Sequence, residues 1–127
     1  MSTDTFVFRK GKVGDKPTPG WCEPLPGETY GEADIPTFVL EYNGKQVTAA
    51  SGGENHISLI GSYEQNKGYC TKFLVEWEKY ARTKGYSELI ISEVNEPRLE
   101  HILDKLGYSF ELDEFNEKTY RKKLDNA

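Results

Sequence analysis

A short segment that joins a predicted strand to a predicted helix carries the residues best suited to binding an anion. It spans residues 65–70, QNKGYC, and runs directly into an apolar-periodic stretch. The first N–H groups of a helix have no intrahelical partners, and the helix dipole leaves positive character there. Gly68 would let a ligand approach the backbone closely. The segment therefore predicts either a plain strand-to-helix turn or a site for a pyrophosphate.

Other kinds of site have weaker support in the sequence. The nucleotide-binding patterns GxxxxGKS/T and GxGxxG are absent. Cys22 and Cys70 are isolated, and neither they nor His56 and His101 have the spacing of metal ligands. We therefore expect no metal, and we expect Cys70 to pack at the helix start rather than to act as a nucleophile.

Chain length and net charge indicate how many domains the protein has and which partners its charge disfavours. The chain has 127 residues and a net charge of −5, which predicts one domain and argues against binding to a nucleic-acid backbone. Residues 1–13 lack an apolar leader, and no apolar run approaches membrane-spanning length. We therefore expect a soluble, cytoplasmic protein with no membrane partner.

The elements before residues 65–70 follow from turn signals and composition. Residues 14–36 hold five of the six prolines, so they should form a long loop. Before this loop, TFVFRKGKV could form a short strand. After it, residues 36–42, 45–50 and 56–64 predict three antiparallel strands, the first two joined by Asn43-Gly44 in a type I′ turn.

The elements after residues 65–70 follow from apolar periodicity. Residues 68–84 predict a helix with one apolar stripe, ended by Gly85. Residues 88–94 predict a buried strand, and Pro97 begins a second helix that Gly107 ends. Residues 108–115 and 118–124 predict a final hairpin. This order predicts a mixed α/β arrangement, an α+β fold with a mixed sheet.

One stretch adds a resemblance to a known family. Residues 59–94, LIGSYEQNKGYCTKFLVEWEKYARTKGYSELIISEV, resemble the acetyl-CoA-binding motif of the GNAT superfamily of N-acetyltransferases. That motif is a strand, a Gln/Arg-x-x-Gly-x-Gly/Ala loop and a helix ending at glycine; Gln65 and Gly68 match it. Downstream, Leu106-Gly107-Tyr108 resembles the family's Leu-Gly-Phe. The resemblance covers residues 36–125.

The resemblance implies a GNAT-like acyl-CoA N-acyltransferase fold in a single domain, 1–127. Its cofactor-binding core would be residues 56–107, and the family's two N-terminal helices would be reduced to the loop at 14–36. Backbone N–H groups would hold the pyrophosphate of acetyl-CoA. The strand around Ile60 would pair with the pantetheine arm, and the strand at 88–94 would splay away to leave a wedge.

The cofactor-binding residues that the resemblance implies are Ile60, Gly61, Ser62, Gln65, Asn66, Lys67, Gly68, Tyr69, Cys70, Thr71 and Asn95. The role of Asn95 is open, because a polar residue near a helix N-terminus is also common for structural reasons.

Departures from the family pattern bear on catalysis. Cys70 stands where Gly or Ala is usual, and Leu103 stands where a tyrosine often protonates the leaving thiolate. The segment 14–36 replaces helices that select the acceptor. Each acid–base candidate also has an ordinary structural interpretation. The candidates are Glu54, His56 and Glu64 for the base, and His101 and Tyr108 for the acid.

The sequence therefore predicts an N-acetyltransferase that moves an acetyl group from acetyl-CoA directly to an amine of a protein or small molecule. The alternative is a catalytically inactive GNAT-fold binding or structural protein, for example a viral or accessory component. Leu103 favours the alternative, whereas the Gln65–Gly68 loop favours the enzyme. The oligomeric state is open, a homodimer or larger assembly included. Acidic residues at 111–114 could attract a cationic acceptor.

Overall fold

The fold is seen in a computed structural model that describes residues 5–16, 18, 35–64, 67–94 and 96–124. Within these residues, the strands form one sheet in the order β1-β2-β3-β4-β5-β7-β6, in which β4 and β5 run parallel and all other neighbours antiparallel. The predicted α+β class is confirmed. The elements are β1 (Phe6–Lys10), β2 (Phe38–Tyr42), β3 (Lys45–Gly52), β4 (His56–Ser62), α1 (Tyr69–Thr83), β5 (Glu88–Val94), α2 (Pro97–Lys105), β6 (Ser109–Leu112) and β7 (Lys118–Lys123).

Tight turns set the register of two of the hairpins, β2–β3 and β6–β7. Asn43 and Gly44 have φ angles of 51° and 84°, as the predicted type I′ turn requires. The second hairpin joins β6 to β7 through a turn in which Asn116 has a φ of 61°. Its backbone bonds run from Asp113 N–H to Glu117 O and from Asn116 N–H to Asp113 O. This is a G1-type bulge, with asparagine in the place that glycine usually takes.

Both helices end as their glycines predict. Gly85 and Gly107 have φ angles of 83° and 90°. After α1, Tyr86 N–H bonds to Ala81 O, and after α2, Tyr108 N–H bonds to Leu103 O. These are the long bonds of Schellman motifs, which satisfy carbonyls at the helix end. At the start of α2, Pro97 occupies the first turn and the Glu96 carboxylate accepts from a backbone N–H.

The core lies between one face of the sheet and the two helices. The stripe of α1 buries Phe73, Leu74, Trp77 and Ala81, and α2 buries Leu103. These side chains share one cluster with apolar residues of the central strands. Each large side chain that is fully buried contributes about 1.5–3 kcal/mol. None of the helices in the described part of the chain has the length and apolarity needed to cross a membrane.

The segment before β2 is attached to the sheet where it is described. The Asp15 carboxylate accepts two bonds of 2.8 Å from the Arg9 guanidinium, which lowers the pKa of Asp15. Thr18 Oγ1 lies 2.7 Å from Ser51 Oγ in a buried contact. Among the described residues no helix precedes β2. Residues 17 and 19–34 of the predicted loop lie outside the described residues.

Candidate functional site

A cleft opens where the two parallel strands separate. In the described structure, β4 and β5 pair only at His56–Ile90 and Ile57–Ile91. Beyond these pairs lies a cleft of about 1050 Å³. Its walls are residues 58–62 of β4, 91–94 of β5, 67–70 at the start of α1, and the first two turns of α2. The predicted splay between the strands is confirmed at this point.

A β-bulge in β4 marks the point of separation. The register of the β3–β4 pair shifts between Ser51 and Gly52, so Ser58 is the extra residue that no β3 residue opposes in the ladder. A bulge of this kind adds one residue to a strand, bends it and increases its twist. The bend directs the second half of β4 away from β5. Sequence periodicity does not reveal the bulge, because Ser58 sits in an otherwise regular strand pattern.

The second half of β4 presents backbone groups to the cleft. Tyr63 N–H bonds to Val47 O at 3.0 Å, which fixes the alternation of hydrogen bonds along the antiparallel pair with β3. By that alternation, the N–H and C=O groups of Ile60 point away from β3, on the side that β5 has left, and Ile60 lines the cleft. This position forms the edge of β4 at the cleft.

The opposite wall contains a second irregularity. The register of the β5–β7 pair shifts between Ile91 and Val94. Within the shift, Glu93 has a φ of 57°, a left-handed conformation that a side chain disfavours by roughly 1–2 kcal/mol. Ser92 and Glu93 both line the cleft. Strained backbone of this kind is frequent at functional sites. We therefore include Ser92 and Glu93 among the candidate site residues.

The N-terminus of α1 closes one end of the cleft. Gly68 is its N-cap, with φ 73° and ψ 13°, and the first turn carries no acidic side chain. A Cβ at Gly68 would meet no atom within 4 Å. Glycine is therefore favoured here by the positive φ rather than by lack of space. Lys67, Gly68 and Tyr69 line the cleft beside this helix end, where positive potential accumulates.

Cys70 lies at the junction of α1 and β4. Its Sγ is 3.1 Å from Ser62 Oγ, which is also 3.0 Å from Thr48 Oγ1. Burial raises the pKa of the Cys70 thiol, which disfavours the thiolate that a nucleophile needs. This agrees with the predicted packing role.

Two of the predicted acid–base candidates line the cleft. Glu64 lies beyond the end of β4, and Lys45 donates to its carboxylate at 2.8 Å, which lowers the pKa of Glu64. His101 lies on an exposed position of α2 and faces the cleft from the other side. Of the predicted acid–base candidates, the cleft lining thus holds one carboxylate and one imidazole.

His56 lies beside the cleft rather than among its lining residues. It occupies the last part of β4 that still pairs with β5. Its Nε2 is 3.0 Å from Ser92 Oγ, and Ser92 is part of the cleft wall. The imidazole therefore reaches the site through one hydroxyl group.

The structure argues against Glu54 as the base. It lies before β4, at the end of the strand away from the cleft. Its carboxylate accepts bonds from Lys10 at 2.5 Å, Tyr86 at 2.6 Å and Tyr80 at 3.0 Å. These three bonds, of which the one from Lys10 has the largest effect, lower the pKa of Glu54 to about 2. A carboxylate so placed neither reaches the cleft nor accepts a proton readily near neutral pH.

The structure also argues against Tyr108 as the acid. Its side chain is buried, it is absent from the cleft wall, and its hydroxyl has no hydrogen-bond partner among the described residues. Burial raises its pKa. Leu103, at the place of the family's tyrosine, is fully buried in the core. Neither position supplies a proton to the cleft.

The remaining predicted binding residues divide into two groups. Ile60, Gly61 and Ser62 line the cleft together with residues 67–70, whereas Thr71 is exposed and lies outside the lining. Gln65, Asn66 and Asn95 lie outside the described residues. Within the part of the chain that is described, no three His, Cys, Asp or Glu side chains are arranged to hold a metal ion.

Sequence reasoning missed much of the α2 wall. The apolar period of residues 97–106 predicts that Leu99 and Ile102 belong to a buried stripe of α2, but both are only partly buried and line the cleft. Glu96, Pro97 and Arg98 line it as well. An apolar stripe is the same whether a helix covers a core or a cleft, so periodicity carries no signal for the difference. Ser92 and Glu93 could have been found from their place on the strand predicted to splay.

Comparisons with known proteins identify the fold. No family model and no curated protein sequence matches the chain. Among solved structures, it is similar to a polyamine N-acetyltransferase from Drosophila melanogaster, an enzyme that forms N-acetylagmatine. The TM-score is 0.60 at 11% identity, with 94% of this chain and 100% of that chain covered.

Two further structures agree. An agmatine N-acetyltransferase in its apo form matches with a TM-score of 0.53 at 10% identity, over 68% of this chain and 73% of that chain. A GNAT-family acetyltransferase from Streptococcus pneumoniae matches with a TM-score of 0.51 at 19% identity, over 72% of this chain and 66% of that chain. The separated parallel strands, the glycine-capped helix and these three likenesses together show that the chain has the fold of the GNAT acetyltransferases.

Proposed function

We propose that this chain is a divergent GNAT acetyltransferase that moves an acetyl group from acetyl-CoA to an amine. The observation that carries the proposal is a single cleft that holds both the exposed edge of β4 and the glycine-capped start of α1. A strand edge suits an extended arm containing amides, and a helix N-terminus suits a phosphate. Acetyl-CoA carries both groups in one molecule.

The residues of the cleft fit this co-substrate. The N–H and C=O groups of Ile60 would bind a pantetheine amide as a neighbouring strand would. The backbone N–H groups of 67–71 would hold the pyrophosphate, and Lys67 adds a cation nearby. Leu99 and Ile102 offer an apolar wall opposite. Gln65, Asn66 and Asn95 belong to the same proposal, on the family resemblance alone.

The chemistry needs a proton acceptor for the amine and a proton donor for the leaving sulfur. Acetyl-CoA would supply the acetyl thioester. We assign proton acceptance to His56 acting through Ser92, rather than to Glu64, whose pKa is lowered by its bond from Lys45. We assign proton donation to His101, which lines the cleft. A backbone N–H of β4 would polarise the carbonyl oxygen.

The proposed acceptor is an amine. Two of the similar structures are enzymes that act on agmatine or form N-acetylagmatine. Here Glu93 and Glu96 at the cleft would favour an acceptor that carries positive charge. A second candidate function is a GNAT-fold protein that binds without catalysing. The burial of Leu103 favours it, since no hydroxyl replaces the usual acid at that position.

Calorimetric titration with acetyl-CoA tests binding, and two matched variants locate it. Gly68→Glu and Gly85→Glu alter opposite ends of α1. Both glycines have positive φ, of 73° and 83°, and neither has an atom within 4 Å of its would-be Cβ. The backbone strain of the two variants should therefore be similar. Only Gly68→Glu places a carboxylate at the proposed phosphate site.

The expected result is binding that Gly68→Glu weakens at least about tenfold, or about 1.4 kcal/mol, while Gly85→Glu leaves it unchanged. Equal losses in both variants would contradict the phosphate site. Binding without turnover of any amine, tested with agmatine, a polyamine and a lysine peptide, would favour the non-catalytic function. A folded parent that does not bind acetyl-CoA would overturn the proposal.

A further inference from the structure

The end of β5 carries a bulge that changes which face of the sheet one side chain occupies. In a regular strand successive side chains alternate between the two faces, so residue 93 would share a face with Ile91. Here Ile91 and Val94 are both buried in the core. Ser92 and Glu93, which lie between them, both line the cleft. The bulge therefore places in the cleft wall a carboxylate that regular pairing would turn toward the core.

This placement is kept in spite of a backbone conformation that disfavours glutamate. Glu93 has a φ of 57°, in the region that glycine adopts without strain and that side chains other than those of asparagine and aspartate rarely occupy. Glycine at this position would suit the same bulge, but it would leave the cleft wall without a carboxylate. The side chain of Glu93, rather than the bulge alone, is therefore the feature that calls for a function.

Glu93 differs from the two other carboxylates of the cleft wall. Glu64 accepts a bond from Lys45, and the Glu96 carboxylate accepts from the backbone N–H of Arg98 as the N-cap of α2. Among the described residues, the Glu93 carboxylate takes part in no hydrogen bond and no ion pair, so neither cationic side chain of the cleft wall is paired with it. It is therefore the carboxylate of this wall that is available to a ligand.

The position of Glu93 limits which part of an acceptor it can serve. It follows Ser92, whose Oγ lies 3.0 Å from His56 Nε2, the pair to which proton acceptance is assigned above. An amine must be neutral to attack a thioester, and a carboxylate beside it would favour the charged form instead. Pairing with the reacting amine would thus oppose the reaction, whereas pairing with a second cation of the same molecule would hold the acceptor without this cost.

From these observations we propose that Glu93 binds a second positive charge on the acceptor, which is then an amine that also carries an ammonium or guanidinium group. This inference rests on the proposed function, which supplies the acetyl group and the reacting amine. It assigns the selectivity to Glu93 rather than to Glu96, whose carboxylate already caps α2. A free diamine and two neighbouring lysine side chains of a peptide both have the required chemistry.

Binding is measured with putrescine and butylamine, which share a four-carbon chain and differ by one ammonium group. Isotopically labelled protein is titrated with each amine, with and without CoA, and followed by backbone amide NMR, so that the result does not require turnover. Putrescine should bind at least about tenfold more tightly than butylamine, with shifts concentrated at residues 91–94. A capped Lys-Lys dipeptide is titrated in parallel, and its affinity relative to putrescine identifies whether a peptide or a free diamine is the better source of the two charges.

Three variants separate the carboxylate from its surroundings. Glu93→Gln and Glu114→Gln each replace an exposed glutamate by its neutral isostere, but Glu114 lies outside the cleft lining. Glu93→Gln should abolish the preference for putrescine, and Glu114→Gln should leave it intact. Glu93→Gly removes the carboxylate and also relieves the backbone strain, so it should abolish the preference while the Tm stays equal or rises. Thermal melts of all three variants check that they are folded.

Several outcomes would overturn the inference and leave the proposed function standing. They are equal binding of putrescine and butylamine, a preference that survives in Glu93→Gln, a preference that Glu96→Gln abolishes instead, and acetylation of both amines with equal kcat/KM. Failure of the proposed function gives a different pattern. Acetyl-CoA would then not bind, or no amine would be acetylated, while putrescine was still preferred by the parent and not by Glu93→Gln.

Discussion

The two ends of β4 differ in how its polar groups are used. At its N-terminal end, Glu54 accepts bonds from Lys10, Tyr80 and Tyr86, and its backbone O accepts from Trp77 Nε1 at 2.9 Å. We call this the closed end. At the C-terminal end β5 has separated, and the edge of β4 faces a cleft. We call this the open end.

The comparison shows how one strand can both stabilise the fold and serve a ligand. At the closed end, hydrogen bonds and packing are satisfied within the protein, so a change there should cost stability and spare binding. At the open end, the N–H and C=O groups of Ile60 point toward the cleft, so a change there should cost binding and spare stability. The following predictions separate these two effects.

The largest expected effect is at the closed end. Trp77→Ala should lower the free energy of unfolding by about 3–5 kcal/mol, because it removes a fully buried indole and leaves a cavity. Ile102→Ala, in the cleft wall, should cost less than about 2 kcal/mol because its side chain is only partly buried. Urea unfolding measures both values. Similar losses of unfolding free energy in the two variants would contradict the proposed difference between the closed and open ends.

At the open end, His101→Ala should lower kcat by about 100-fold, equivalent to about 2.7 kcal/mol, if its imidazole donates a proton in the cleft. The dissociation constant of acetyl-CoA should stay unchanged, since that ligand is held mainly by backbone groups. Steady-state kinetics with an acetyl-accepting amine, combined with calorimetry, makes the measurement. If kcat falls further in His56→Ala than in His101→Ala, His56 rather than His101 would be the more important acid–base residue.

Glu54→Gln should reduce stability in a pH-dependent way and leave acetyl-CoA binding unchanged. The bonds from Lys10, Tyr86 and Tyr80 lower the pKa of Glu54 from 4.5 to about 2. A carboxylate with a depressed pKa stabilises the fold above the unfolded value and loses that effect as the pH falls through the folded value. The difference in Tm between parent and variant should therefore be full above about pH 5 and shrink toward about pH 2. A difference independent of pH would refute this origin.

The smallest effect is expected for Tyr108→Phe. It removes a buried hydroxyl that has no partner among the described residues, so the free energy of unfolding should stay equal or rise by up to about 1 kcal/mol. Turnover should not change, because Tyr108 is not among the residues that line the cleft. A fall in kcat with unchanged stability would instead support the hypothesis that Tyr108 donates a proton in the reaction.

The fold could be predicted from the sequence because its signals are local. The type I′ turn at Asn43-Gly44, the proline at position 97 and the glycines at 85 and 107 act within a few residues, and each lies where it was expected. The apolar stripe of α1 likewise follows from the 3.6-residue period. Such features need no knowledge of distant contacts.

The site was harder to predict because it depends on register and on contacts between distant segments. The bulges at Ser58 and Glu93 each result from how one strand pairs with its neighbour. Glu54 was predicted as a base from its place near a strand, but it bonds to residues 26, 32 and 44 positions away in the chain. Tyr108 follows the helix-ending glycine as expected, yet its side chain turns into the core.

The bulge in β4 has a consequence for how such a protein can diverge. By separating the strands, it exposes main-chain atoms as the recognition surface, and every amino acid carries the same main-chain atoms. Substitutions along β4 can therefore accumulate while the surface is kept, provided that the bend and the glycine at the helix start persist. A chain only 10–19% identical to structures of the same fold is the result expected when architecture is maintained by geometry rather than by particular side chains.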